Sequence, residues 1–246
     1  MANLRGLDFD AKSLHKPGSR EWFQLKKDSD VPEVFIYDEI GRGFFGGGVA
    51  AEDFIKAVKE LKLKASDELR VRINSPGGDL FDGNAIYNYL SSLKAQVTVR
   101  IDGVAASAAS IIAMAGDTVE MPENAMLFIH NPWMMAVGDA RVMRKVADDL
   151  DKMRDAAVLV YQRRTSGKLE RAELVKMLDE ETWLSAAQSV EHGFADVVDE
   201  PVRAAALAQF DLQRYGFPLP AAYAEARAAL AEDKQRRREQ LRALAK

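Results

Sequence analysis

Three apolar runs rich in β-branched residues, "VFIYDEI" (34–40), "ELRVRINSPGG" (68–78) and "QVTVRIDG" (96–103), are separated by segments of helical period. This alternation constrains the fold more than any other feature of the chain. In "AAEDFIKAVKELKL" (50–63), Phe54, Ile55, Val58 and Leu61 share one helical face. "DGNAIYNYLSSL" (82–93) reads as a second helix, and "SAASIIAMAG" (107–116) as a short buried one closed by glycine. "AMLFIHNPW" (125–133) reads as a further strand. Strand and helix alternating at this spacing imply right-handed crossovers and a mainly parallel sheet, an α/β fold. With 246 residues the chain is long enough to bury a substantial core.

Beyond Asp139 the pattern changes to one long charged helix reaching about Arg164, with an apolar stripe at Val142, Val146, Leu150 and Met153. "TSGK" (165–168) interrupts it before "LERAELVKMLDEE" (169–181) resumes. A helix of that length projecting from an α/β core suits assembly, and the same stripe suits packing within one chain. The expected organisation is a polar N-terminal arm over 1–30, a folded domain over 31–200, and a charged, largely helical tail over 201–246.

Composition narrows the function. A net charge of −4 argues against broad nucleic-acid binding, which needs a basic face. The absence of cysteine excludes disulfides, thiolate metal sites and cysteine nucleophiles. The uncharged stretch Gly103–Gly116 is too short to span a bilayer, and "MANLRGLDFDAKSLHKPGSR" carries no apolar signal core. A cytoplasmic protein is expected.

The candidate chemistry lies at strand ends. Ser107 stands where the strand 96–103 gives way to the next helix, among small neighbours that leave a hydroxyl accessible. A serine nucleophile needs a base within hydrogen-bond reach and donors for the oxyanion. The chain has three histidines. His15 sits in the polar arm, and His192 precedes Gly193 where a helix should end. His130 closes the strand "MLFIH", the position at which open α/β sheets place ligands. Ser110 lies one helical turn beyond Ser107, where its hydroxyl can bond a preceding carbonyl. "INSPGG" (73–78) ends its strand in two glycines whose N–H groups are unencumbered.

Taken in order, "INSPGG", "GVAASAAS", "FIHNP" and "ETWLSAAQSVEHGFADVV" resemble the Clp protease proteolytic subunit family over about residues 32–200. Within it, "DEETWLSAAQSVEHGFAD" is similar to the head maturation (prohead) proteases of tailed bacteriophages. The resemblance implies a ClpP/crotonase-like fold of repeated β-β-α units with a projecting helix. It implies Ser107 as nucleophile, His130 as base, and the N–H groups of Gly78 and Ala108 as oxyanion donors. The family's acid is an aspartate two residues before an aromatic-Leu-Ser-Ala stretch. This chain has Glu181 there, one C–C bond (about 1.5 Å) longer, with Asp179 and Glu180 as competitors. "NPWMMAVGDA" resembles the family's substrate-pairing strand, which makes Met134, Met135 and Val137 candidate substrate contacts.

The implied activity is a serine endopeptidase that needs no metal or cofactor and assembles as a homo-oligomeric ring. The expected substrate is a scaffold or capsid polypeptide in phage head maturation, in an infected-host cytoplasm or inside the procapsid. The alternative is a cellular Clp-type proteolytic subunit, in a bacterial cytoplasm, working with an unfoldase ATPase. Two further readings share the fold: crotonase-like acyl-CoA chemistry, which the pairing of Ser107 with His130 disfavours, and a non-catalytic ring scaffold.

Overall fold

The computed structural model describes residues 23–26, 31–41 and 50–200. His15 and the expected tail over 201–246 lie outside the described residues. In chain order the elements are β1 (Phe23–Lys26), β2 (Glu33–Ile36), α1 (Ala51–Lys59), β3 (Glu68–Ser75), α2 (Leu80–Ser91), β4 (Gln96–Ala106) and α3 (Ala108–Ala113). They continue with β5 (Thr118–Pro122), β6 (Met126–Ile129), α4 (Ala140–Thr165), α5 (Arg171–Asp179), β7 (Thr182–Ser185), α6 (Ala186–His192) and β8 (Val197–Asp199). Within the stretch expected to be a polar arm, β1 pairs antiparallel with β2 as an edge strand.

Among the described residues the sheet has eight strands, with β1-β2-β3-β4-β5-β8 as its main path. All pairings on that path except β1–β2 are parallel, as the strand–helix alternation requires. Side-chain period sorts the two faces. One rung aligns Val34, Val71, Val99 and Val119, and another aligns Ile36, Ile73 and Ile101. These residues are fully buried, in one core with Phe54, Ile86, Leu90 and Ile112 of the helices. The rung between them carries Phe35, Arg72, Arg100 and Glu120 on the opposite face. There the Asp102 carboxylate is buried beneath a bidentate Arg72, at 2.6 and 2.8 Å, and accepts the Tyr37 hydroxyl at 2.6 Å. Arg100 adds a contact at 3.3 Å and also pairs with Asp199 of β8. A buried carboxylate is tolerated because it is this fully matched.

β4 is long enough to serve two neighbours. Its first half pairs with β5, and Val104–Ala106 pair with β6. Between the Ile73↔Ile101 and Ser75↔Ala105 pairs, β4 runs through Asp102, Gly103 and Val104 where β3 has only Asn74. The Val104 N–H donates to Asn74 Oδ1 at 3.2 Å, so this irregularity leaves no orphan there. It redirects the end of β4 toward β6.

The small residues of 103–110 have a packing reason as well. A Cβ added to Gly83 of α2 would sit 3.0 Å from the Ala108 Cβ, so α2 and α3 approach closely. In α4 the buried residues are Ala157, Val158, Tyr161 and Thr165, all in its C-terminal half. Its N-terminal half leaves Val142 and Met143 exposed, so the predicted projection is present. No helix among the described residues is long and apolar enough to cross a membrane.

Candidate active site

Ser107 occupies the turn between β4 and α3 with φ 54° and ψ −126°, a conformation unfavourable for a residue bearing a Cβ. Its surroundings hold it there. The Ser107 N–H donates to the Phe128 carbonyl of β6 at 3.0 Å, and the Ser107 carbonyl accepts the Ser110 N–H at 2.9 Å. Gly77 lies directly against the turn: a Cβ there would fall 2.5 Å from the Ala106 oxygen and 2.7 Å from the Ser107 Cβ. A side chain at position 77 would collide with the turn itself.

His130 follows the last residue of β6 and places Nε2 2.8 Å from Ser107 Oγ. Its ring stacks on Phe128 at 5.2 Å and 17°, and Phe128 stacks in turn on Trp183 of β7 at 4.4 Å and 28°. Burial lowers the His130 pKa from 6.5 to about 4. At neutral pH the imidazole is therefore uncharged. With its proton on Nδ1, it presents a lone pair at Nε2 to the Ser107 hydroxyl.

The two glycines of "INSPGG" adopt φ 93° and 147°. Ile40 donates its N–H to the Gly77 carbonyl at 2.7 Å and accepts the Asp79 N–H at 3.0 Å, a bridge that uses neither polar backbone group of Gly78. Ala108 is the first residue of α3, and its N–H belongs to the peptide immediately after Ser107.

Glu181 is placed by register. β6 and β7 pair antiparallel with Ile129 opposite Thr182. The ladder ends at that pair, and His130 and Glu181 are each the next residue beyond it. Glu181 has φ 50°, the left-handed position just past the α5 C-cap that glycine ordinarily fills. Its competitors are engaged elsewhere. Asp179 Oδ1 accepts the Asn131 amide at 2.7 Å, and Glu180 faces Lys176 at 3.8 Å on the surface.

Met134, Met135 and Val137 are 47, 72 and 98% exposed. They follow the end of β6, which stops at Ile129 and not at Trp133 as expected. The ladder ends there because its partner leaves extended geometry at Glu181, whose φ is 50° and whose N–H bonds the Leu178 carbonyl. His192 ends α6 ahead of Gly193 at φ 86°, the helix-terminal place expected of it.

Sequence reasoning missed two things. Gly77 is the residue packed on the Ser107 turn, a role that its positive φ alone does not reveal. Tyr161 reaches the turn from α4: its hydroxyl lies 2.8 Å from Ser110 Oγ, across 51 positions of sequence.

With this geometry in place, comparison with known proteins is informative. The family model described as Clp protease matches residues 34–201, more than half of the chain. An ATP-dependent Clp protease proteolytic subunit 1 from Protochlamydia amoebophila (strain UWE25) is 28% identical over 175 residues, covering 69% of this chain and 81% of the relative. ATP-dependent Clp protease proteolytic subunits of Leuconostoc citreum (strain KM20) and Deinococcus radiodurans are 34% and 29% identical. They cover 55% and 65% of this chain, and 70% and 80% of their own lengths. The chain belongs to the Clp protease family.

Proposed function

We propose that the chain is a Clp-type serine endopeptidase, with Ser107 as nucleophile, His130 as general base and Glu181 as the acid that orients the base. The observation that carries this reading is the 2.8 Å contact between Ser107 Oγ and a half-buried, uncharged His130 Nε2. His130 takes the hydroxyl proton as Ser107 attacks a peptide carbonyl, and the Gly78 and Ala108 N–H groups receive the oxyanion. The imidazolium returns the proton to the leaving amine, and water then releases the acyl group by the same route. Met134, Met135 and Val137 contact the polypeptide substrate.

The relatives named above are ATP-dependent proteolytic subunits. They support a cytoplasmic Clp-type subunit, ring-assembled and served by an unfoldase ATPase, over an enzyme of phage head maturation. The exposed apolar residues of α4 support assembly. The test is labelling with a fluorophosphonate, with peptide mapping of the adduct. An adduct on Ser107 that vanishes in His130→Ala is the expected result. An assembled protein that takes no label and hydrolyses no peptide would overturn the reading.

A further inference from the structure

A chain of hydroxyls runs from α4 into the catalytic turn. Ser110 Oγ lies 2.5 Å from the Ser107 carbonyl oxygen and 2.8 Å from Tyr161 Oη. The direction of the protons follows from valence. A carbonyl can only accept, so the single Ser110 proton goes to Ser107 O and the phenol must donate to Ser110 Oγ. Burial raises the Tyr161 pKa, which keeps the phenol in this donating form. Both side chains are in the core, and Tyr161 is further fixed by an edge-on contact with Phe194 at 5.8 Å.

The carbonyl held in this way shares a planar trans peptide with the Ala108 N–H. Fixing the oxygen on one side of that plane fixes the N–H on the other. We propose that Ser110 and Tyr161 are positioning residues for the Ala108 oxyanion donor, acting through the Ser107–Ala108 peptide and touching no substrate. The inference rests on the assignment of Ser107 as nucleophile. It goes beyond that assignment in giving the core end of α4 a part in stabilising the transition state. The Ser110 N–H also binds the Ser107 carbonyl, so loss of the hydroxyls loosens the plane without freeing it. The cost should then be smaller than the roughly 10²- to 10³-fold loss seen when an oxyanion donor is removed outright.

The experiment compares the full-length wild type with Ser110→Ala, Tyr161→Phe and the double variant. Peptide hydrolysis is measured together with inhibition by a peptide boronic acid, which forms a tetrahedral adduct on serine, and by the product peptide, which does not. The expected result for Ser110→Ala is kcat lower by about 10-fold, with KM and product-peptide affinity within about twofold. Boronate affinity should fall by the same factor as kcat/KM, and the acid limb of the pH profile should stay in place. Tyr161→Phe should show a smaller loss of the same kind. The double variant should be no worse than Ser110→Ala, because the phenol acts only through that hydroxyl.

Equal losses in KM and product binding, or additive losses in the double variant, would show a merely structural role and overturn the proposal. If one single variant does not fold, the other decides. An active wild type with unaltered variants overturns this proposal alone. An inactive and unlabelled wild type overturns the serine-protease reading as well.

Discussion

The Phe128 carbonyl accepts the Ser107 N–H at 3.0 Å, and His130 stands two residues beyond Phe128, just past the end of the same strand. The proposed nucleophile and base are thus joined by backbone, through the ladder that pairs Ala106 of β4 with Phe128 of β6. Sites carried on strands hold their geometry better than sites carried on loops. Ser107→Ala and His130→Ala should each lower kcat by about 10⁴- to 10⁶-fold, and the double variant should lose little more. Thermal unfolding of Ser107→Ala should match the wild type, since the hydroxyl anchors nothing in the core. Steady-state peptide hydrolysis with melting curves checks both parts.

The low pKa of His130 sets the pH behaviour. The base must be unprotonated, so kcat/KM for the free enzyme should rise through about pH 4 and be flat by pH 6. The sign for stability follows from the same shift. Unfolded His130 titrates near 6.5 and the folded residue near 4, so between these values the unfolded state binds more protons. Stability contributed by this group is therefore fully present above about pH 6.5 and is lost as pH falls toward 4. A pH–rate profile with its acid limb near 6.5 would contradict the effect of burial.

Three neighbouring acids can be told apart. Glu181→Gln should reduce kcat by less than Ser107→Ala does, as orienting acids cost less than nucleophiles when removed, by about 10²-fold in the subtilisin example. Glu180→Gln should remain within about twofold of wild type, because an exposed partner at 3.8 Å contributes little. Asp179→Asn alters the group that holds Asn131, so its effect should fall on KM more than on kcat. Kinetic constants for the three variants under one set of conditions decide the assignment.

Two glycines of positive φ make a matched pair. Gly77 (φ 93°) packs on the Ser107 turn, whereas Gly167 (φ 80°) has nothing within 4 Å of its missing Cβ. Gly167→Ala should cost only the left-handed backbone penalty, about 1 kcal/mol, and leave activity intact. Gly77→Ala adds a collision with Ala106 and Ser107, so it should abolish labelling of Ser107 and destabilise the chain further. Denaturant unfolding and fluorophosphonate labelling of both variants provide the comparison.

The parts of the fold that could be read from sequence are those with a period. β3, β4 and α1 to α4 announce themselves through runs of Val and Ile or through a helical stripe. β1, β5, β7 and β8 have three to five residues each and are too short to show alternation. Their strand character comes from partners, as when Trp183 meets Phe128 across the β6–β7 ladder. Ser107 and His130 were visible because both stand at the ends of apolar runs. The carbonyl bond of Ser110 followed from helix spacing, but its Tyr161 partner did not, since only the tertiary fold brings α4 to α3. The left-handed residue at Glu181 carried no signal either, because a glutamate does not advertise positive φ as glycine does.

Glu181 and His130 are each the next residue beyond the last β6–β7 pair, so the number of residues between α5 and β7 decides which side chain stands there. Between the last turn of α5 and the first rung of β7 there is no slack: the Leu178 carbonyl accepts the Glu181 N–H, and Thr182 already pairs with Ile129. Lengthening this junction by one residue would carry another side chain into the place of Glu181 while the core beneath stayed whole. On the proposed assignment of Glu181, chain length at this junction is therefore a functional quantity in its own right. Insertions elsewhere on the surface leave that place as it is, whereas one here would leave a folded protein without the proposed acid in it.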